Sequence, residues 1–176
     1  MTFEPERGDA PSAAEGPLTE FRAAVRHDDR ARVAALLFEH PELAGATNRK
    51  GLSLLVEARL RGHSAVVARI AAVRRRPGSP PLTHDELVAL GDHRALSDRL
   101  GSNGARGDER VADGFTPLHR AAHLGESEAL DALLEAGADP RVRAGNASRL
   151  TPEQSAACGR DPGLASRLGG GDAAEG

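Results

Sequence analysis

The feature that most restricts what this chain can fold into is its similarity to itself. Displaced by 63 residues, Gly51-Leu52-Ser53-Leu54-Leu55 falls on Gly114-Phe115-Thr116-Pro117-Leu118, while Asp28, Leu37, Ala58 and Gly62 fall on Gly91, Leu100, Ala121 and Gly125. An offset of that size spans two units of a repeat of roughly 33 residues, so the chain reads as repeats in pairs, the second pair echoing the first. Such units bury their apolar faces only against one another, and about three or more are needed for stability.

The physics of one unit is clearest in Asp113–Pro140, DGFTPLHRAAHLGESEALDALLEAGADP. Asp113-Gly114 is a turn signal, because glycine reaches backbone states that other residues resist. Thr116 followed by Pro117 starts a helix: the threonine caps free amides and proline suits the first helical position. Leu118, Ala121 and Ala122 give that helix a face of small residues, and Gly125 ends it. Ser127 opens a second helix with Ala129, Leu130, Leu133 and Leu134 spaced as a buried stripe, closed by Gly137. This string, G-x-T-P-L-H-x-A-A-x-x-G with a double leucine and G-A-D-P, resembles the ankyrin repeat.

The resemblance implies an all-α ankyrin-repeat solenoid of about five helix–turn–helix repeats, with degenerate terminal and third repeats. The repeats are expected over about 19–50, 51–81, 82–112, 113–145 and 146–168, within a domain spanning 18–168. The second keeps Gly51, Ser53, Leu55, Ala58 and Gly62 but has Leu54 for the proline and Val56 for the histidine. The third lacks T-P-L-H. The fifth restarts at Thr151-Pro152 and then decays; Thr151 follows Thr116 by 35 residues, so the turn between them is slightly long. Pro77-Gly78-Ser79-Pro80-Pro81 is the expected seam between the pairs, and 101–107 a mobile loop.

Composition agrees with closely packed helices. Aromatic residues make up 2% with no Trp or Tyr, so burial falls to Ala, Leu and Val rather than to bulky rings. The formal charge of −3 is carried by segments expected to be disordered tails, an acidic one over 1–17 and a Gly-rich one over 169–176. What lies between is close to neutral, so no global field argues for nucleic acid or membrane. Cys158 is the single cysteine, which rules out an intrachain disulfide. No export signal is legible, and a cytoplasmic monomer is the expectation.

Residues with chemical potential have plainer readings. His119 and His123 stand four apart, a spacing compatible with a metal, but the resemblance makes His119 the scaffold histidine that ties turn to helix start. Cys158 has no activating neighbour in the sequence and reads as a buried or half-buried small residue. Gly101, Gly104 and Gly107 lack the strand and G-K-[ST] of a phosphate loop. Arg106-Gly107-Asp108 is a coincidental tripeptide. Arg69 with Arg74, Arg75 and Arg76 reads as a solvated helix end, and Asp85-Glu86 as an acidic helix start. No cofactor and no metal are expected, and no catalytic residue is assigned.

The resemblance further implies that turn tips and the inner faces of the first helices bind a partner. Transferred position by position, this gives Arg49, Lys50, Leu52, Leu60 and Arg61 in the second repeat and Ala112, Asp113, Phe115, His123 and Leu124 in the fourth. Weaker alignment adds Arg26, His27, Ala89 and Leu90. The function so implied is a non-catalytic protein–protein interaction module, accessory to or regulating another protein. Its partner would carry an acidic edge and an apolar anchor. The alternatives are an enzyme subunit, or a nucleic-acid adaptor working through Arg69 and Arg74–Arg76.

Overall fold

The described residues fold as five pairs of helices, in a computed structural model that describes residues 15–103 and 107–169. The pairs are α1 (Glu15–Arg26) with α2 (Arg30–Glu39), α3 (Leu54–Arg61) with α4 (Ser64–Arg74), and α5 (His84–Ala89) with α6 (His93–Asn103). They continue with α7 (Pro117–Leu124) and α8 (Ser127–Glu135), and end with α9 (Pro152–Ala157) and α10 (Gly163–Gly169). Among the described residues there are helices and no strands beyond a single bridge between Thr47 and Ser53. The acidic tail expected over 1–17 lies outside the described residues as far as position 14, and α1 begins inside it. The Gly-rich tail lies outside them from position 170. The loop expected over 101–107 is helical through Asn103, and 104–106 lie outside the described residues.

The offset of 63 has a direct structural counterpart, because several matched pairs occupy the same environment. Ala58 and Ala121 are fully buried on inner helices, and Leu37 and Leu100 are buried near the ends of outer ones. Asp28 and Gly91, like Gly62 and Gly125, are the left-handed residues that reverse the chain between the two helices of a pair, with φ of 56°, 64°, 82° and 75°. Three of the four are glycine, as that conformation favours. At Asp28 a carboxylate side chain bonded to Arg30 substitutes; Asp is among the few other residues that tolerate it.

Inner helices α1, α3, α5, α7 and α9 stack in an unbroken row. The outer ones pack as two couples, α2 on α4 and α6 on α8. The core is built from the aliphatic residues that the composition requires, with Phe21 the one aromatic ring fully buried among the described residues. Val33, Leu36 and Leu37 on α2 show the helical spacing that feeds it, and Asp29 caps that helix by accepting from the Arg32 amide at 2.9 Å. A cap of this kind is worth about 1 kcal/mol.

The interruption in the outer row between α4 and α6 coincides with a missing element. The connection ahead of α3 (residues 40–53) is fourteen residues long and that ahead of α9 (136–151) sixteen, whereas the one ahead of α5 (75–83) has nine. The longer connections form projecting turns, or fingers. In the second repeat Asn48 N–H donates to Leu52 O and Gly51 N–H to Asn48 O. In the fourth, Val111 N–H donates to Phe115 O and Gly114 N–H to Val111 O. The finger of the fifth closes from Ala144 N–H to Leu150 O, two residues wider, which is where the 35-residue spacing comes from. In the third repeat the Pro77–Pro81 segment takes the finger's place. Three prolines there have no N–H to give to such a hairpin. That shortfall is also why the offset is 63 rather than two full periods.

Candidate functional site

With no finger on the third repeat, the finger of the second meets that of the fourth. A Cβ placed on Gly51 would lie 2.5 Å from the Cβ of Ala112. Ala112 thus packs finger on finger, and Gly51, at φ 78°, is required both by its conformation and by its neighbour. The fifth finger joins them: Asn146 Nδ2 donates to Asp113 O at 2.9 Å and Gly145 N–H donates to Gly114 O at 2.7 Å.

These fingers and the inner faces of α1 and α3 enclose an open cavity of about 760 Å³, in the size range of ligand clefts. Seven of the ten residues expected to face a partner line it together: Arg49, Lys50, Leu52, Leu60, Arg61, Asp113 and Phe115. Arg26, from the weaker alignment, lines it too. Three expected residues do not. Ala112 lies against Gly51 and is otherwise exposed, outside the cavity lining. His123 is half-buried at the far end of α7, where its carbonyl accepts the Arg160 amide and Gly159 closes over it. Leu124 is 3% exposed and belongs to the core, because the α7 position that should face solvent is covered. Ala89 is likewise buried, Leu90 half-buried, and His27 is exposed away from the cavity. The lining residues that the repeat alignment misses are Arg22, Asn48, Glu57 and the fifth finger's Asn146, Ala147 and Ser148. The long Thr116–Thr151 spacing marks the extra length of that finger, but not where its tip lands.

Charge in the cavity is uneven. Arg22, Arg26, Arg49, Lys50 and Arg61 contribute cations, against the carboxylates of Glu57 and Asp113. Both carboxylates are engaged: Glu57 accepts from Asn48 Nδ2 at 2.8 Å and from Arg61 Nε at 3.1 Å, and Asp113 is paired with Arg120. Arg22 Nε donates to Thr47 O at 2.9 Å. Arg26, Arg49 and Lys50 make no side-chain hydrogen bond or ion pair among the described residues. Phe115 is held from behind, with the Arg120 guanidinium 5.2 Å above its ring and His119 edge-on at 5.5 Å. One side of it is scaffold and the other lines the cavity.

Two buried polar systems hold the fingers in place. His119, 1% exposed, uses both ring nitrogens. Nδ1 accepts from the Thr116 amide at 3.3 Å and lies 2.8 Å from Thr116 Oγ1; Nε2–H donates to Leu150 O at 2.9 Å, at the base of the next finger. A carbonyl can only accept, which assigns the proton to Nε2. Burial holds the imidazole below its ordinary pKa, in keeping with a neutral ring. Its nitrogens are therefore committed, and His119 with His123 is not a metal pair.

The second system corrects the reading of Arg74, while Asp85-Glu86 does stand at the acidic start of α5. Arg74 is not a solvated helix end: its side chain is 7% exposed and donates to Glu86 at 2.8 Å and to Pro80 O at 3.0 Å. Arg75 pairs with Asp92. Glu86 also accepts from Ser53 Oγ at 2.8 Å and from the Thr83 amide at 3.0 Å, completing a capping box with Thr83. Asp85, 3% exposed, lies against Arg120, 3.3 Å from its Nε. Burial pushes the Asp85 carboxyl up to about 6, against the pull of Arg120. Cys158 is corrected as well. It is exposed at the end of α9, its thiol donating to Gln154 O at 2.7 Å. Among the described residues no group of His, Cys, Asp or Glu could hold a metal ion, and no helix is long and apolar enough to cross a membrane.

No curated protein matches the chain. Residues 113–144, the fourth repeat, match the family model of the ankyrin repeat, and with five stacked helix pairs around that segment the chain is an ankyrin-repeat protein.

Proposed function

We propose that this ankyrin-repeat protein is a non-catalytic interaction module whose working surface is the cavity between its fingers, acting as an accessory or regulator of the protein it binds. The observation that carries this reading is the convergence of Arg49, Lys50, Leu52, Leu60, Arg61, Asp113 and Phe115 on one cleft from three separate stretches of chain. The fold is otherwise spent on its own cohesion. The buried Arg74 pairs with Glu86, Asp85 lies against Arg120, and His119 bonds Thr116 and Leu150, whereas Arg26, Arg49 and Lys50 at the cavity have no partner among the described residues.

The nucleic-acid reading through Arg69 and Arg74–Arg76 is weakened by the same geometry. Arg74 is buried on Glu86 and Arg75 is paired, so the run does not present the row of free cations that phosphates require. The test is affinity recovery of partners from the source cell on the full chain, beside Arg49→Glu with Arg61→Glu in the cavity and Arg69→Glu on the outer helix α4. Proteins retained by the chain and by the α4 variant, but lost from the cavity variant, are the expected result. The same proteins at the same yield on all three would remove the cavity from consideration.

A further inference from the structure

We infer that the cavity takes an acidic protein segment whose carboxylates meet Arg26, Arg49 and Lys50 and whose single large apolar side chain lies against Leu60 and Phe115. The inference rests on the interaction-module reading and adds the chemistry of the partner. Several arginines elsewhere are matched to acids within the chain: Arg32 to Glu20, Arg59 to Glu126, Arg74 to Glu86, Arg75 to Asp92 and Arg167 to Asp131. In the cavity cations outnumber acids. Both of its carboxylates already have partners, and three cations have none among the described residues. A net-negative chain thus concentrates uncompensated positive charge on one concave surface, where charge is focused and anionic partners are drawn in.

The apolar part is equally localised. Leu60 and Phe115 are half-buried and Leu52 is 7% exposed, so together they form a floor that one aliphatic or aromatic side chain would cover. A protein segment supplies both features; a nucleic-acid strand does not fit them. Phe115 has Arg120 over one face and His119 at its edge, and it is the one aromatic ring in the cavity lining, short of the row of platforms on which successive bases stack. Asp113 and Glu57 would also stand beside a phosphate backbone.

The deciding experiment selects binders to the full chain from a random peptide library. It then measures the affinity of the enriched peptides by fluorescence polarisation for the chain, for Arg49→Glu with Lys50→Glu, and for Arg69→Glu. The two cavity side chains are exposed and unbonded, so the thermal unfolding of that variant should match the parent. Enriched peptides carrying an excess of Asp and Glu around one large apolar residue are expected. Their affinity should fall at least tenfold in the Arg49/Lys50 variant, hold in the α4 variant, and weaken severalfold as salt rises from about 0.05 to 0.2 M, as screening requires.

Neutral or basic winners, or acidic ones indifferent to Arg49 and Lys50, would overturn the inference while leaving the chain a binding module. An absence of any enriched peptide, with single-stranded oligonucleotides binding in an Arg49/Lys50-dependent way, would overturn both readings. Binding that emerges only in a full chain carrying Glu4→Gln, Glu6→Gln and Asp9→Asn would make the chain's own acidic segment the occupant and overturn a partner in trans.

Discussion

The third and fourth repeats solve one problem with opposite charge chemistry. Each must begin its inner helix next to the preceding repeat and tie that helix end to a neighbour. The fourth uses neutral His119, which accepts at its own helix start and donates forward to Leu150 of the fifth. The third uses Glu86 in the same place, three residues after the capping threonine, and accepts backward from Arg74 and Ser53 of the second. The fourth repeat keeps its finger; the third has a proline-rich segment with Arg74 bonded to its carbonyls. Loss of a signature sequence is therefore not loss of the joint. It is a change of donor and acceptor, and here it removes one finger and opens the cavity between those on either side.

The largest expected effect tests the third repeat's joint. Glu86→Ala leaves Arg74 buried with no acid and should cost about 3–5 kcal/mol in chemical denaturation followed by circular dichroism. Pairing Glu86→Leu with Arg74→Met should recover most of that loss. If the double variant is as unstable as the single one, the acid matters through its capping bonds and not through the ion pair. His119→Ala, the counterpart in the fourth repeat, should cost about 2–3 kcal/mol, since it strips partners from Thr116 and Leu150 without stranding a charge. His119→Gln should cost less, because Gln154 already fills the same role in the fifth repeat, accepting from the Thr151 amide at 3.0 Å.

A smaller effect separates the repeats by pH. Asp85 has a folded pKa raised to about 6, above the ordinary carboxylate value. The folded chain therefore holds this proton more tightly than the unfolded one between about pH 4 and 6. Stability from this group is present below about pH 4 and declines as pH rises through 6, by at most about 1.4 kcal/mol per pH unit. Asp85→Asn should flatten that slope; an unchanged slope would assign it to another group. The smallest effect is in the fifth finger, where Arg149 holds φ 47°. Arg149→Gly relieves that backbone and should raise stability by about 0.5 kcal/mol in the same denaturation measurement.

Much of this architecture is legible in the residues alone. Asp113–Gly137 declares its turn, cap, helices and stripe in order, and the offset of 63 pairs positions that share an environment in space. The joint of the third repeat was also written in the sequence, as Thr83-x-x-Glu86, a capping signature lying 33 residues before Thr116 and His119. Comparison with T-P-L-H hides it, since histidine and glutamate share no chemistry except acceptance at a helix start. Leu124 and Arg74 misled for a related reason. Helical spacing gives the direction of a side chain from its own axis, but not what the next repeat lays over it.

Local propensity and periodicity were thus enough to determine helices, reversals and stacking order, because each depends on residues within one unit and its copy. The cavity depended on tertiary structure. It exists because nine residues between α4 and α5 cannot raise a finger, so Gly51 meets Ala112 and the fifth finger reaches across to Asp113. Those contacts join residues far apart in the chain, and their geometry is set by what is absent between them.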